Sequence, residues 1–179
     1  VAATGLTGSC SPTIDQCIIQ NNTAGLVAGI YFFTNNTGAI GTISCSPLIT
    51  NCRFSNTTSY QALFFENTNS TGASTGIPVI TGCEFAGNTL PVLHFNILNS
   101  ASLNPVITNC VFSGNSTTGT IQFAEASGAS LSPDFINCVF TNNNTISLLR
   151  FPSNVDALFT NCSFSSNNSS DFIRFDAFN

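Results

Sequence analysis

The stretch Pro105-Val106-Ile107-Thr108-Asn109-Cys110-Val111-Phe112-Ser113-Gly114-Asn115 decides the fold. Cys110 and Phe112 stand two residues apart, so they share one face of an extended strand. Ile107 lies three residues before Cys110 and joins that face only if the chain bends at Thr108-Asn109. Asn, Asp and Gly tolerate the dihedrals such a bend needs. The stretch therefore predicts two short strands meeting at a corner. Working outward, the template returns at Thr13–Ile19, Leu48–Phe54, Val79–Phe85, Asp134–Phe140 and Leu158–Phe164. Its cysteines, Cys17, Cys52, Cys83, Cys110, Cys138 and Cys162, are separated by 35, 31, 27, 28 and 24 residues. Asn51, Gly82, Asn109, Asn137 and Asn161 occupy the corner position.

A third strand follows about eleven residues after each cysteine. Its inward pairs are Ile30/Phe32, Leu63/Phe65, Leu93/Phe95, Ile121/Phe123, Leu149/Phe151 and Ile173/Phe175, with Tyr31, Phe64, His94, Gln122, Arg150 and Arg174 facing out between them. Antiparallel hairpins explain alternation, but not the return of one template with Cys always in the same place. The reading is all-β: a right-handed, single-stranded parallel β-helix of about six coils, each with three short strands. It occupies residues 10–179, with residues 1–9 as an N-terminal extension or partial cap. The core is expected to consist of vertical columns, one of them Ile19, Phe54, Phe85, Phe112, Phe140 and Phe164. Each strand alone is too short to be stable, and stacking buries it against its neighbours.

Composition fits this reading. The 179 residues include 17 Phe and 23 Asn but only three basic side chains against eight acidic ones, a net charge of -5. Nucleic acid and anionic membrane surfaces both call for clustered Lys or Arg, so neither is an expected partner. No apolar run is long enough to span a bilayer. Residues 1–9 lack the basic start of a secretory signal.

Segments such as Pro105–Asn115 resemble the β-helix repeats of the pectin-lyase-like superfamily, most nearly those of polymorphic outer-membrane adhesins. The resemblance runs from about residue 10 to 175. It implies the fold but not one activity, since lyases, hydrolases, tailspikes and adhesins share it. In families of this fold, asparagines near the second corner can stack as an internal ladder. Asn22, Asn88, Asn115, Asn143 and Asn167 lie five residues after their cysteines, and Asn56 four after its own. The rival use of asparagine is N-glycosylation, at Asn-x-Ser/Thr sequons on Asn21, Asn35, Asn56, Asn69, Asn115, Asn143 and Asn167. Asn35 and Asn69 lie on longer insertions and are the favoured sites. Asn161 and Asn168 also begin sequons, the first at a tight corner and the second competing with Asn167.

Eight cysteines, an even number, suit an oxidising, extracellular or cell-surface setting. Cys10 and Cys45 each lie seven residues before a template cysteine and are expected to form a disulfide. The six-member column reads either as stacked free thiols or as partly paired neighbours. No metal or cofactor site is expected, because no second ligand type converges on the cysteines. No catalytic residue is assigned either: the acidic residues are dispersed, whereas general acid/base work needs a carboxylate pair. Arg53 and Glu84 are expected to form a surface ion pair. The resulting expectation is a non-catalytic scaffold or adhesive protein, joined to further coils or to identical subunits end to end. The alternative is carbohydrate binding by the exposed column Tyr31, Phe64 and His94, and after it a polysaccharide lyase or hydrolase.

Overall fold

A computed structural model of the chain describes residues 2–4, 7–23, 25, 27–36, 41–58, 60–69, 73–99, 101–125, 129–152 and 155–176. Every strand pairing among them is parallel, and the strands form four sheets. Sheet I contains Ala2–Thr4, Val27–Asn36, Gln61–Asn69, Leu93–Leu98, Ser116–Glu125, Asn144–Pro152 and Asn168–Asp176. Sheet II contains Gly8–Cys10, Thr42–Cys45, Ala73–Gly76, Ser102–Leu103 and Ser130–Leu131. Sheet III takes the residues before each template cysteine, such as Val106–Thr108, and sheet IV those after it, such as Val111–Ser113.

The expected coil of three strands is corrected by sheet II. Its strands are only two to four residues long and rich in Ser and Gly, so apolar alternation barely marks them. Each ends just before a proline that precedes sheet III: Pro12, Pro47, Pro78, Pro105 and Pro133. Proline has no N–H to give a ladder and so suits a corner, while its carbonyl still accepts from the next coil, as Pro78 does from Val106 at 2.9 Å. The sheets carry seven, five, six and six strands rather than equal numbers. In the last and shortest coil, sheet II shrinks to a single bridge, Leu131 to Val155.

The predicted columns are in register. Ile14, Ile49, Ile80, Ile107, Phe135 and Phe159 pair successively in sheet III. Phe54, Phe85, Phe112, Phe140 and Phe164 stack in sheet IV with ring centroids 5.1, 4.9, 4.7 and 4.9 Å apart. One further buried position, immediately before the first inward residue of the third-strand pair in sheet I, is taken by Ala62, Val92, Thr120 and Leu148. In the first of these coils that position is Gly29. A Cβ there would sit 1.9 Å from the Ala62 carbonyl oxygen, so only glycine fits.

Both corners flanking sheet IV use left-handed backbone. The first has Gln16, Asn51, Asn109, Asn137 and Asn161 at φ between 53° and 55°, and Gly82 at 64°. The second, near which the asparagine ladder was expected, has Asn21, Asn56, Gly87, Gly114, Asn142 and Ser166 in the same left-handed region. Asn56 therefore belongs to this corner rather than to the internal ladder, and Thr57 takes the ladder position in its coil. The segment expected as an extension over residues 1–9 contributes edge strands: Ala2–Thr4 pairs with sheet I and Gly8–Cys10 with sheet II. The Arg53–Glu84 ion pair is present at 3.3 Å, half exposed.

Candidate functional site

The outer face of sheet I carries two side-chain columns. The first is Tyr31, Phe64, His94, Gln122, Arg150 and Arg174. The second, two residues along, is Phe33, Glu66, Asn96, Ala124, Pro152 and Asp176. Parallel register places like positions one coil apart, so ring meets ring. Tyr31 and Phe64 stack at 5.0 Å with planes 10° apart, and Phe64 and His94 at 4.9 Å and 30°. The sequence-predicted trio is thus brought together as a continuous ladder. The Tyr31 hydroxyl donates to Glu66 Oε2 at 2.6 Å. Burial and that carboxylate raise the phenol's pKa above its ordinary range.

The ladder stops at His94. The Gln122 side chain folds back over Gly119 and donates from Nε2 to Thr118 Oγ1 at 3.3 Å. Beside it Ala124 is small. A groove of about 130 Å³ opens here, lined by His94, Gln122, Ala124, Arg150, Pro152 and Asp176, with Phe123 at its base. His94 Nδ1 lies 2.9 Å from Gln61 Nε2. Burial draws the imidazole down to about 4, so the ring is neutral at pH 7. With the Gln61 amide as donor, Nδ1 accepts and the ring proton sits on Nε2.

At the far wall Arg150 Nε reaches Asp176 Oδ2 at 2.5 Å, and Arg174 Nε reaches Asp176 Oδ1 at 2.6 Å. Asp171 lies 3.7 Å from Arg174 as well. Asp176 reaches both because it sits diagonally across from Arg150 and two residues along the strand from Arg174. Arg150 and Arg174 hold its carboxyl below the usual range. Among the described residues no three His, Cys, Asp or Glu side chains converge as a metal site requires.

Residues 2–136 match the family described as right handed beta helix region. The chain belongs to this right-handed β-helix family. No curated protein and no solved structure matches it significantly. No helix among the described residues is long and apolar enough to cross a membrane.

In this right-handed β-helix the asparagine ladder runs from Asn88 through Asn115 and Asn143 to Asn167. Asn115 Nδ2 donates to Asn143 Oδ1 and to the Phe85 carbonyl, both at 3.0 Å. Its Oδ1 accepts from the Asn88 backbone N–H and from Asn88 Nδ2, also at 3.0 Å. Asn143 repeats the pattern with Phe112 and Asn167. Asn115 and Asn143 are buried, and both amide hydrogens of each are used, so neither can carry a glycan in the folded coil. Asn167 closes the ladder, donating to Phe140. Asn21 and Asn56 are exposed at the left-handed corner, with Asn56 Nδ2 on Asn21 Oδ1 at 3.3 Å. Asn35 is half-buried at the end of an outward column. The side chain of Asn69 lies outside the described residues.

All eight cysteines are free thiols, so the bond expected between Cys10 and Cys45 is not formed, although the two are register partners. Burial and the Cys10 thiol push Cys45 up to about 12. The six cysteines of the long column are likewise not bonded to one another. Its thiols also do something the sequence reading missed. Each one reaches the carbonyl two residues back, and from Cys52 onward also a carbonyl of the preceding coil: Cys138 to Ile136 at 3.5 Å and to Ile107 at 3.3 Å. A thiol is a weak donor, and here it faces carbonyl oxygens at a buried corner that valine could not satisfy.

Proposed function

We propose that this right-handed β-helix is a non-catalytic extracellular scaffold that adheres to carbohydrate through the outer face of sheet I. The carrying observation is the Tyr31–Phe64–His94 ring ladder leading into the polar groove. A sugar ring offers C–H groups to an aromatic face and hydroxyls to fixed polar groups, and both kinds of partner stand side by side here. The acids at this face are poorly suited to proton transfer. Glu66 accepts the Tyr31 hydroxyl, and Asp176 is held ionised by Arg150, whereas a general acid needs a raised pKa. A nearly uncharged, Asn/Ser/Thr-rich surface with many sequons supports an extracellular setting and N-glycosylation at its exposed asparagines.

Binding to a panel of immobilised polysaccharides tests the reading. Wild-type protein is expected to retain on at least one glycan without releasing reducing ends, and Phe64→Ser to lose retention. Absence of retention on every glycan refutes adhesion to carbohydrate, and released reducing ends refute the non-catalytic role.

A second feature favours end-to-end continuation. Phe172, Ile173 and Phe175 are exposed on the last described coil, although the equivalent residues of the coil before it, Leu148, Leu149 and Phe151, are core. A further coil in the same register, from the same polypeptide or an identical subunit, would cover them and pair the open backbone edge. Concentration-dependent association by sedimentation, abolished in Phe175→Ser, is the expected result for the subunit form.

A further inference from the structure

The groove is a missing rung. Along this column the rungs are ring, ring, imidazole, then a gap, then a guanidinium, because Gln122 lies back over Gly119 and leaves its own layer open. His94 and Arg150 are register neighbours of Gln122 on either side, so they stand two strand spacings apart, about 10 Å. A flat ring in van der Waals contact with both needs about 7 to 8 Å, at about 3.5 to 4 Å from each surface. One ring fits and two do not. The groove's 130 Å³ is below the size of a site that encloses a whole drug-sized ligand, so only one unit of a larger molecule enters.

The polar groups at this layer set the chemistry. Arg150 and Gln122 offer N–H donors, and Asp176 offers carboxylate oxygens, a mixture matched by a polyol and left unpaired by a bare hydrocarbon ring. The charges cancel: two arginines, Arg150 and Arg174, face two aspartates, Asp171 and Asp176. Arg150 Nε is already committed to Asp176. An acidic sugar would have to displace that carboxylate or lie against it, and like charges at such separation oppose one another.

Resting on the carbohydrate reading above, we infer that the layer vacated by Gln122 takes a single neutral, hydroxyl-bearing sugar ring, stacked between His94 and Arg150 as the missing rung and bonded to Asp176.

The test uses saturation-transfer NMR and calorimetry on the full chain. Methyl glucoside, galactoside and mannoside are compared with methyl glucuronide and galacturonide. At least one neutral glycoside is expected to bind, at least tenfold more tightly than its uronate counterpart. Gln122→Phe supplies the rung from the protein itself, extending the rings that the three preceding coils carry in this column. It is expected to keep the wild-type circular dichroism and melting temperature but lose the neutral glycoside. Uronates binding as well as or better than neutral sugars overturns the inference while leaving the carbohydrate reading intact. Retention on polysaccharide without monosaccharide binding does the same. Neutral binding undiminished in Gln122→Phe puts the site elsewhere and also overturns it.

Discussion

Asn115→Asp isolates the asparagine ladder from simple packing. The two side chains have nearly the same volume, so the cavity term that dominates most core substitutions is absent. What changes is the donor count. Asn115 Nδ2 now donates to the Phe85 carbonyl and to Asn143 Oδ1, both at 3.0 Å in a fully buried site. An aspartate oxygen in that place donates nothing and faces two acceptors at contact distance. The bonds accepted from Asn88 survive. A buried acceptor stripped of its donor costs about 1 to 3 kcal/mol, and two are affected, each keeping part of its bonding. The expected loss at pH 7 is therefore about 3 kcal/mol. Burial also raises the new carboxyl's folded-state pKa above its unfolded value. The protonated form is then favoured in the fold, so the penalty is greatest above the folded pKa and shrinks as pH falls, when the acid regains one O–H donor. Urea unfolding at pH 7 and pH 4 reads this, with the slope unchanged and the midpoint lowered by about 1.5 M if the slope is near 2 kcal/mol/M. A loss under about 1 kcal/mol at pH 7, or a penalty that grows on acidification, refutes the reasoning.

Other outcomes follow from the same geometry. Phe112→Ala removes a ring stacked between Phe85 and Phe140 and should cost about 3 to 5 kcal/mol by denaturant titration. His94 is neutral in the fold down to about 4, so its contribution to stability is complete above the unfolded pKa of about 6.5 and declines as pH falls from there towards 4. His94→Gln should flatten the stability–pH curve over that interval by at most about 3 kcal/mol, since each pKa unit is worth about 1.4 kcal/mol. Native alkylation followed by peptide mapping should label Cys17, which is exposed, ahead of the buried thiols, and Cys45 should stay unlabelled until the chain unfolds. Intact mass before and after glycosidase treatment of protein secreted from a glycosylating host should reveal glycans. Peptide mapping should find Asn115 and Asn143 bare and Asn35 occupied, and an unchanged mass would contradict this.

The inward half of this chain was legible because each core side chain is constrained twice, by its own strand and by the coils on either side. Ile49, Ile80 and Ile107 must fit one another as well as the core, so the same residue recurs and the period shows. Asn51, Asn109 and Asn137 recur for a related reason: one left-handed corner is repeated in every coil. Sheet II escaped notice because its strands lie between loops of changing length, which blur the period. The outward half obeys no such repetition. Solvent accepts Phe64, His94, Gln122 and Arg150 in succession, and nothing in that order reveals a groove. The groove arises when Gln122 turns aside, which Gly119 permits by lacking a Cβ that would crowd the amide at 3.0 Å. It is walled by Asp176, which meets Arg150 diagonally across two strands. Both relations join positions of different columns, whereas the repeat predicts only neighbours within a column. In a stacked coil the sites of chemistry are therefore to be sought where a column breaks: at the rung that does not repeat its neighbours, and at the small residue that gives it room.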